Sequence, residues 1–348
     1  LAVVYRPTRQ NVTGRNRFAA VAAEDNALLT FGRERSVMQP HADSPTNETG
    51  GPSAAEKAEA ARAALAERDG VVVAFSGGVD SSVVAALAHD ALGDRAVACT
   101  ARSETLPESE LDEARLVAEE IGIRHEVVEF SELENPNFVA NDGERCYHCR
   151  TMRLGRMYET ARELGIETVC DGTNASDPGE GHRPGLRAVE ELEVFSPLLA
   201  HDITKAEVRA IADDYGLSVA DKPSMACLSS RIPTGLEVTE ERLTRVEKAE
   251  RILRTWGFSQ FRVRDHDGLA RIEIAADELE AALNADFVEA ARDHLSDLGF
   301  DHVTLDLHGY RTGSVSPGDR DGEGAGNGDE ASEPLVEDVF ATDYPTRG

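Results

Sequence analysis

The chain has 348 residues, 41% of them hydrophobic, which is room for about two domains on a prior of roughly 150 residues each, with a buried core. No run approaches the roughly 20 apolar residues of a membrane span, and no charged-then-apolar leader opens the sequence, so a cytoplasmic protein is expected. The formal charge of −29, from 65 acids against 36 bases, argues against a nucleic-acid-binding surface and points to a halophilic, salt-loving source in which self-repulsion is screened.

In chain order, residues 1–37 carry six arginines against three acids and show no clean periodicity. Met38 follows, then a polar stretch to Ser53. Residues 1–53 are expected to be disordered or upstream-translated, with Met38 as a candidate start. From residue 54 the pattern predicts a helix over 54–68, a strand over 71–75, a helix over 82–92, a strand over 96–101, a helix over 108–121 and a strand over 125–130. A helix following Cys149 to Leu164, a strand over 168–170 and a short fifth strand over 193–195 come next. The helix over 204–215 opens with a Thr-x-x-Glu capping box, Thr204 with Glu207. Strands alternating with helices predict an α/β fold, a Rossmann-like, doubly wound parallel sheet over 54–236. Ligands of such sheets bind beyond the carboxyl ends of the strands. Residues 237–316 read as a small α+β domain, with a helix over 239–256, strands over 261–264, 270–274 and 303–307, and helices over 277–283 and 286–298. Residues 317–348 are expected to be a solvated acidic tail.

The segment Ser76-Gly77-Gly78-Val79-Asp80-Ser81-Ser82 sits between the strand at 71–75 and the next helix. Glycines let a backbone approach a ligand closely, and loop N–H groups at a helix N-terminus form an anion site. Ser81 and Ser82 add hydroxyl donors, and Asp80 is placed to hold a Mg²⁺ that bridges phosphates. No Gly-Lys-[Ser/Thr] follows, so this is not the Walker loop.

Five cysteines occur. Cys99 and Cys170 lie in apolar strand-like runs and read as small core residues. Cys146-Tyr147-His148-Cys149 forms a C-x-x-C in a polar loop just before a helix, and Cys227 lies far along the chain in Ala226-Cys227-Leu228-Ser229-Ser230-Arg231-Ile232-Pro233-Thr234-Gly235. Three thiolates fit an iron–sulfur cluster with one open iron. A zinc site with His148 as fourth ligand, a redox disulfide, or a sacrificial Cys227 without any cluster are the alternatives.

The loop at 76–82 resembles the pyrophosphate loop of the ATP pyrophosphatases, which cleave ATP to AMP and pyrophosphate while activating a substrate. Over most of residues 54–316 the chain resembles the ATP-dependent sulfur transferases that build the nickel-pincer cofactor of lactate racemase, the LarE family. The loop, the Cys146/Cys149 pair, Asp171-Gly172-Thr173-Asn174, Arg183-Pro184-Gly185-Leu186-Arg187, the 227–235 segment and Ala270-Arg271-Ile272-Glu273 carry that resemblance. It implies an adenine nucleotide alpha hydrolase-like fold. It also implies an enzyme that adenylates a carboxylate of pyridinium-3,5-dicarboxylic acid mononucleotide and converts it to a thiocarboxylate. ATP and Mg²⁺ are the implied cofactors, with a three-cysteine [4Fe-4S] cluster on Cys146, Cys149 and Cys227 as sulfide carrier; in other members the position of Cys227 gives up its own sulfur. A homo-oligomer is implied as well.

On that resemblance Ser76, Gly77, Gly78, Ser81 and Ser82 cradle pyrophosphate, with Asp80 on Mg²⁺. Thr100 lies near adenine, and Asp171, Thr173 and Asn174 border the nucleotide; Asp171 as a mere turn cap is equally open. Arg231, Arg262 and Arg264 are candidates for the mononucleotide phosphate, oriented by Glu273, and surface ion pairing is the bland alternative for each. tRNA thiolation on the same scaffold would need a basic, aromatic-lined surface that the sequence lacks. A non-catalytic nucleotide- or iron–sulfur-binding protein is the remaining alternative.

Overall fold

The computed structural model describes residues 51–177 and 184–310; the expectations placed on residues 1–50, 178–183 and 311–348, the Met38 start and the acidic tail among them, lie outside the described residues. Helix α1 (Ala54–Ala66) starts at Ser53, whose hydroxyl accepts from the Glu56 N–H while the Glu56 carboxylate accepts from the Ser53 N–H. Then come β1 (Val71–Ala74), α2 (Val79–Leu92), β2 (Ala96–Arg102), α3 (Glu108–Ile121), β3 (Arg124–Glu129), α4 (Pro136–Val139), α5 (Arg145–Glu163) and β4 (Thr168–Cys170). Helices α6 (Pro184–Glu191), α7 (Pro197–Ala200) and α8 (Lys205–Asp214) follow.

Among the described residues, β3, β2, β1 and β4 form one sheet in that order, and every pairing is parallel. The period-2 alternation of β1 divides the core between the two faces of the sheet. Val71 and Val73 pack with Leu65, Val83, Val117 and Ile211, under α1, α2, α3 and α8. Val72 packs with Val97, Leu154, Met157 and Val189, under α5 and α6. The chain builds outward from β1 through β2 to β3 and then returns to place β4 on the other side of β1. That reversal is the switch point at which a doubly wound sheet opens a crevice. Cys99 and Cys170 are fully buried in these layers, and burial pushes their thiols up to about 11 and about 12.

The expected fifth strand is reduced to a single parallel bridge between Cys170 and Phe195. Phe195 donates its N–H to Val169 O at 2.9 Å, and Asp171 donates to Phe195 O at 3.1 Å. Glu193, at φ 52°, bends the chain just before, and Pro197 starts α7 just after, so pairing has no room to extend. A second difference concerns the C-x-x-C pair. Helix α5 begins at Arg145, so Cys146 and Cys149 lie inside its first turns rather than in a loop ahead of it.

Residues beyond 236 form α9 (Glu240–Thr255), β5 (Phe261–His266), β6 (Leu269–Ile274), α10 (Leu279–Ala282), α11 (Ala285–Asp297) and β7 (His302–Leu305). Strands β5 and β6 are antiparallel, joined through Asp267 and Gly268, both at positive φ as a tight hairpin turn requires. Strand β7 lies parallel to β6. Leu253, Ile272, Phe287 and Leu295 are the core of this sheet and its helices. Among the described residues, no helix is long and apolar enough to cross a membrane.

Helix α8 begins with the expected capping box: the Thr204 hydroxyl accepts from the Glu207 N–H, and Glu207 Oε2 accepts from the Thr204 N–H at 2.8 Å. Lys57 of α1 also reaches Glu207, at 2.9 Å, tying the two helices together. Thr204→Ala is expected to cost about 1 kcal/mol, the usual size of an N-cap loss, read as a shift in urea midpoint at unchanged slope.

Candidate active site

The phosphate-type loop follows β1 directly. Gly77 sits at φ +68°, and a Cβ there would lie 2.7 Å from Ala114 Cα on α3. No side chain other than hydrogen satisfies both conditions. Ser76 donates its N–H to Ser81 Oγ at 3.2 Å, and Ser81 donates to Gly78 O at 3.1 Å, so the loop braces itself. The first intrahelical bond of α2 runs from Ser82 N–H to Gly78 O, and no side chain caps the N-terminus. The N–H groups of Val79, Asp80 and Ser81, which precede that bond, are therefore available to an anion. Asp80 accepts from Lys205 Nζ at 2.5 Å and from Asn174 Nδ2 at 3.1 Å. Ser82 is fully buried, its hydroxyl has no partner among the described residues, and it does not line the crevice.

That crevice is a cavity of about 650 Å³ at the carboxyl ends of β1, β2 and β4. Its wall includes Ser76, Asp80, Ser81, Thr100, Thr173 and Asn174. Thr100 donates to Phe75 O at 2.8 Å and meets His125 Nε2 at 2.8 Å. Asp171 also reaches the wall, yet its carboxylate is fully occupied: it accepts from Ser196 Oγ at 2.6 Å, from Thr173 Oγ1 at 2.6 Å and N–H at 3.2 Å, and from Arg150. It acts as the organiser of the turn after β4.

A smaller chamber of about 190 Å³ adjoins the crevice and holds Cys227. Ser76, Asp80, Arg153, Lys205, Ser224 and Met225 line both. Cys227 precedes a short 3₁₀ turn, Leu228–Arg231, and its Sγ lies 3.1 Å from Ser229 Oγ. Burial pushes this thiol up, but the Arg145 guanidinium, the Ser229 hydroxyl and the Arg153 guanidinium outweigh it and hold the group below the ordinary thiol value. Cys149 is the opposite case. Burial drives its pKa far up, despite Arg153 nearby, and its thiol donates to Glu132 Oε1 at 3.2 Å.

Cys146 is exposed, and all five cysteines are free. Among the described residues, no three Cys, His, Asp or Glu side chains converge to hold a metal ion. Cys149 and Cys227 both lie beside Glu132 and Arg153 while Cys146 is exposed, so the expected three-cysteine cluster is not shown, and neither is a zinc site with His148. Asp80 fits Mg²⁺, which commonly takes one carboxylate together with substrate phosphates.

Arg231, Arg262, Arg264 and Glu273 line neither chamber. They are buried behind the Cys227 turn, rather than paired at the surface. Arg231 forms a fork with Glu250 at 2.8 and 3.0 Å and donates to Ala226 O at 2.5 Å and Cys227 O at 3.0 Å. Arg264 pairs with Glu273 at 2.6 Å and donates to Ser230 O at 2.9 Å, and Arg262 lies over the Tyr310 ring. The second sheet thus holds the backbone of the sulfur-bearing turn.

Sequence reasoning missed Lys205, Arg150 and Arg153, which line the crevice, and Glu132, which holds Arg153 from behind. Lys205 had a signal, because it follows the capping threonine at the first position of α8. The others are single charges in a highly charged chain.

Two outcomes follow from this geometry. Gly172→Ala places a Cβ 2.9 Å from Ser81 N, between the turn after β4 and the start of α2, and is expected to weaken ATP binding at least tenfold by equilibrium titration. In a Cys146→Ser background, the alkylation rate of Cys227 is expected to rise with pH through an inflection below that of a free thiol, because the thiolate is the nucleophile. Arg145→Met should move that inflection upward.

Residues 57–139, from α1 through α4 and including the 76–82 loop, match the asparagine synthase family model. The chain is 42% identical over 260 residues to an uncharacterized protein of Synechocystis sp., covering 75% of this chain and 97% of that protein. It is 36% identical over 255 residues to the pyridinium-3,5-bisthiocarboxylic acid mononucleotide synthase of Lactiplantibacillus plantarum, covering 73% of this chain and 91% of that enzyme. The likeness to the tRNA-specific 2-thiouridylase of Rickettsia peacockii, 31% identical, extends over 44% of this chain and 52% of that protein. With the phosphate-type loop, the switch-point crevice and the adjoining thiol in place, the chain belongs to the family of the pyridinium-3,5-bisthiocarboxylic acid mononucleotide synthase, ATP-dependent sulfur transferases of the PP-loop superfamily.

Proposed function

We propose that this enzyme adenylates a carboxylate of pyridinium-3,5-dicarboxylic acid mononucleotide and replaces one of its oxygens with sulfur carried by Cys227. The observation that carries the reading is the common wall of the phosphate-loop crevice and the Cys227 chamber. An acyl-adenylate formed in the first is within reach of a thiol in the second. A substrate carboxylate oxygen attacks the α-phosphorus of ATP, and pyrophosphate leaves with the bridging oxygen. The N–H groups of Val79, Asp80 and Ser81 in the first turn of α2, with Lys205, take up the charge on that leaving group. Asp80 is the residue that would hold Mg²⁺, which supplies neutralisation of the phosphates. Thr100 lies where the adenine end of the crevice meets β2.

The Cys227 thiolate then attacks the acyl carbon, AMP leaves with the oxygen, and a thioester remains. Loss of the Cys227 α-proton with cleavage of the Cβ–S bond gives the thiocarboxylate and a dehydroalanine, with no oxidant needed. The depressed thiol pKa of Cys227 supports its place as nucleophile. A cluster on Cys146, Cys149 and Cys227 as sulfide carrier is the other reading, and none of these steps runs through it. The mononucleotide phosphate expected on Arg262 and Arg264 would have to reach them from outside the two chambers, at Arg264 Nη2, which has no hydrogen-bond partner among the described residues. Arg231 acts by fixing the backbone at 226 and 227.

The test supplies ATP, Mg²⁺ and the pyridinium dicarboxylate mononucleotide to purified enzyme. The expected result is AMP and pyrophosphate with a thiocarboxylate product, and a mass loss of one H₂S at Cys227. Cys227→Ala should yield no thiocarboxylate. Absence of pyrophosphate with the wild type, or full activity of Cys227→Ala, would overturn the reading.

A further inference from the structure

The common wall of the two chambers contains two cations, Lys205 and Arg153. Lys205 is committed to Asp80 at the phosphate-loop side. Arg153 is held from behind. Its Nε donates to Glu132 Oε1 at 2.9 Å, and its Nη2 donates to Thr105 Oγ1 at 2.7 Å. Its Nη1 has no hydrogen-bond partner among the described residues.

Glu132 is completely buried and saturated with donors. Besides Arg153 and the Cys149 thiol, it accepts from Ser103 Oγ at 2.6 Å and Thr105 Oγ1 at 2.7 Å. A carboxylate buried this deeply is costly unless paired, and here its partner is Arg153, the arginine that among the described residues lines both chambers. The same frame reaches the sulfur-bearing turn, since Leu228 donates its N–H to Thr105 O at 3.0 Å. Arg153 is thereby fixed relative to residue 227. The neighbouring cations are otherwise engaged: Arg150 with Asp171, Lys222 with Glu110 and Glu113, and Arg145 with Asn141 and Ser229 O. Arg145 lines neither chamber.

We infer that Arg153 is a catalytic residue of the sulfur-transfer half-reaction, donating from Nη1 to the oxygen of the acyl group under attack, and that Glu132 is its positioning residue. The inference rests on the proposed function and assigns the second step of that reaction. As the sulfur–carbon bond forms, the carbonyl π pair moves onto oxygen, and that oxyanion is what the guanidinium meets. As the pair returns, the carbon–oxygen bond to AMP breaks and AMP leaves with its electrons. A fixed donor aimed at charge that develops only in this step accelerates it without tightening substrate binding. The first half-reaction develops its charge at phosphorus instead, where the loop N–H groups and Lys205, 2.5 Å from Asp80, are the donors in place.

The test is single-turnover chemical quench with ATP, Mg²⁺ and the pyridinium dicarboxylate mononucleotide, reading pyrophosphate for the first half and AMP with the mass of the Cys227 adduct for the second. Arg153→Gln alone leaves Glu132 buried without its cation, so the variants are Arg153→Lys and the neutral pair Arg153→Gln with Glu132→Gln, each checked by thermal melting. The ratio of transfer rate to adenylation rate is expected to fall roughly 100-fold in the neutral pair, the usual cost of losing one oxyanion donor, with acyl-adenylate accumulating. Arg153→Lys should restore part of that ratio, and Glu132→Gln alone should lower it by a smaller factor. An unchanged ratio, or both half-reactions falling equally, overturns the inference while leaving the proposed function intact. A wild type that releases no pyrophosphate overturns both.

Discussion

The site depends on one backbone contact. The turn after β4 packs so tightly on the start of α2 that a Cβ on Gly172 would lie 2.9 Å from Ser81 N and 3.1 Å from Asp80 C. Only glycine permits that approach. The contact sets the depth at which Asn174 can reach Asp80, and it puts Asp171 where Thr173, Ser196 and Arg150 converge on its carboxylate. Gly77 makes the matching contact on the other side, against Ala114 of α3. The two glycines fix the phosphate-type loop between α3 and the β4 turn, and the crevice is the space left at the switch point.

Around this junction the protein spends buried charge on placement. Arg231 with Glu250, Arg264 with Glu273 and Arg153 with Glu132 are three ion pairs with little or no exposure of the acidic partner. Such pairs contribute little net stability, because desolvation offsets the Coulomb gain. What they share is their target: Arg231 holds the carbonyls of 226 and 227, Arg264 that of 230, and the Glu132 cluster holds Thr105, which binds Leu228. The turn that carries Cys227 is gripped from both sheets. A nucleophile that must meet a short-lived acyl-adenylate gains from such fixing.

Much of this was legible in the chain. Val71 to Ala74 followed by Ser-Gly-Gly-Val-Asp-Ser-Ser gave strand, loop and helix in order, although α2 starts at Val79 rather than Ser82, and Thr204 with Glu207 marked α8 to within a residue. The misreadings have physical causes. Helix α5 has no side-chain cap at Glu144, so nothing in the sequence marked its start ahead of Cys146. No helix was expected over 184–191, yet Pro184 occupies the first position of α6, where its missing N–H costs nothing. Glu132 lies in Ser-Glu-Leu-Glu-Asn, indistinguishable from a solvated loop until tertiary packing buries it. Arg262 and Arg264 were correctly placed on one strand, but their burial behind the sulfur-bearing turn comes from the packing of two sheets, which no local pattern encodes.

The central claim is that the substrate carboxylate is joined to AMP before sulfur reaches it. The direct measurement uses substrate whose carboxylates carry ¹⁸O, with mass analysis of the nucleotide after turnover. One labelled oxygen in the phosphate of AMP for each sulfur transferred is the result this account predicts. Unlabelled AMP, with the label in inorganic phosphate, pyrophosphate or water, would contradict it.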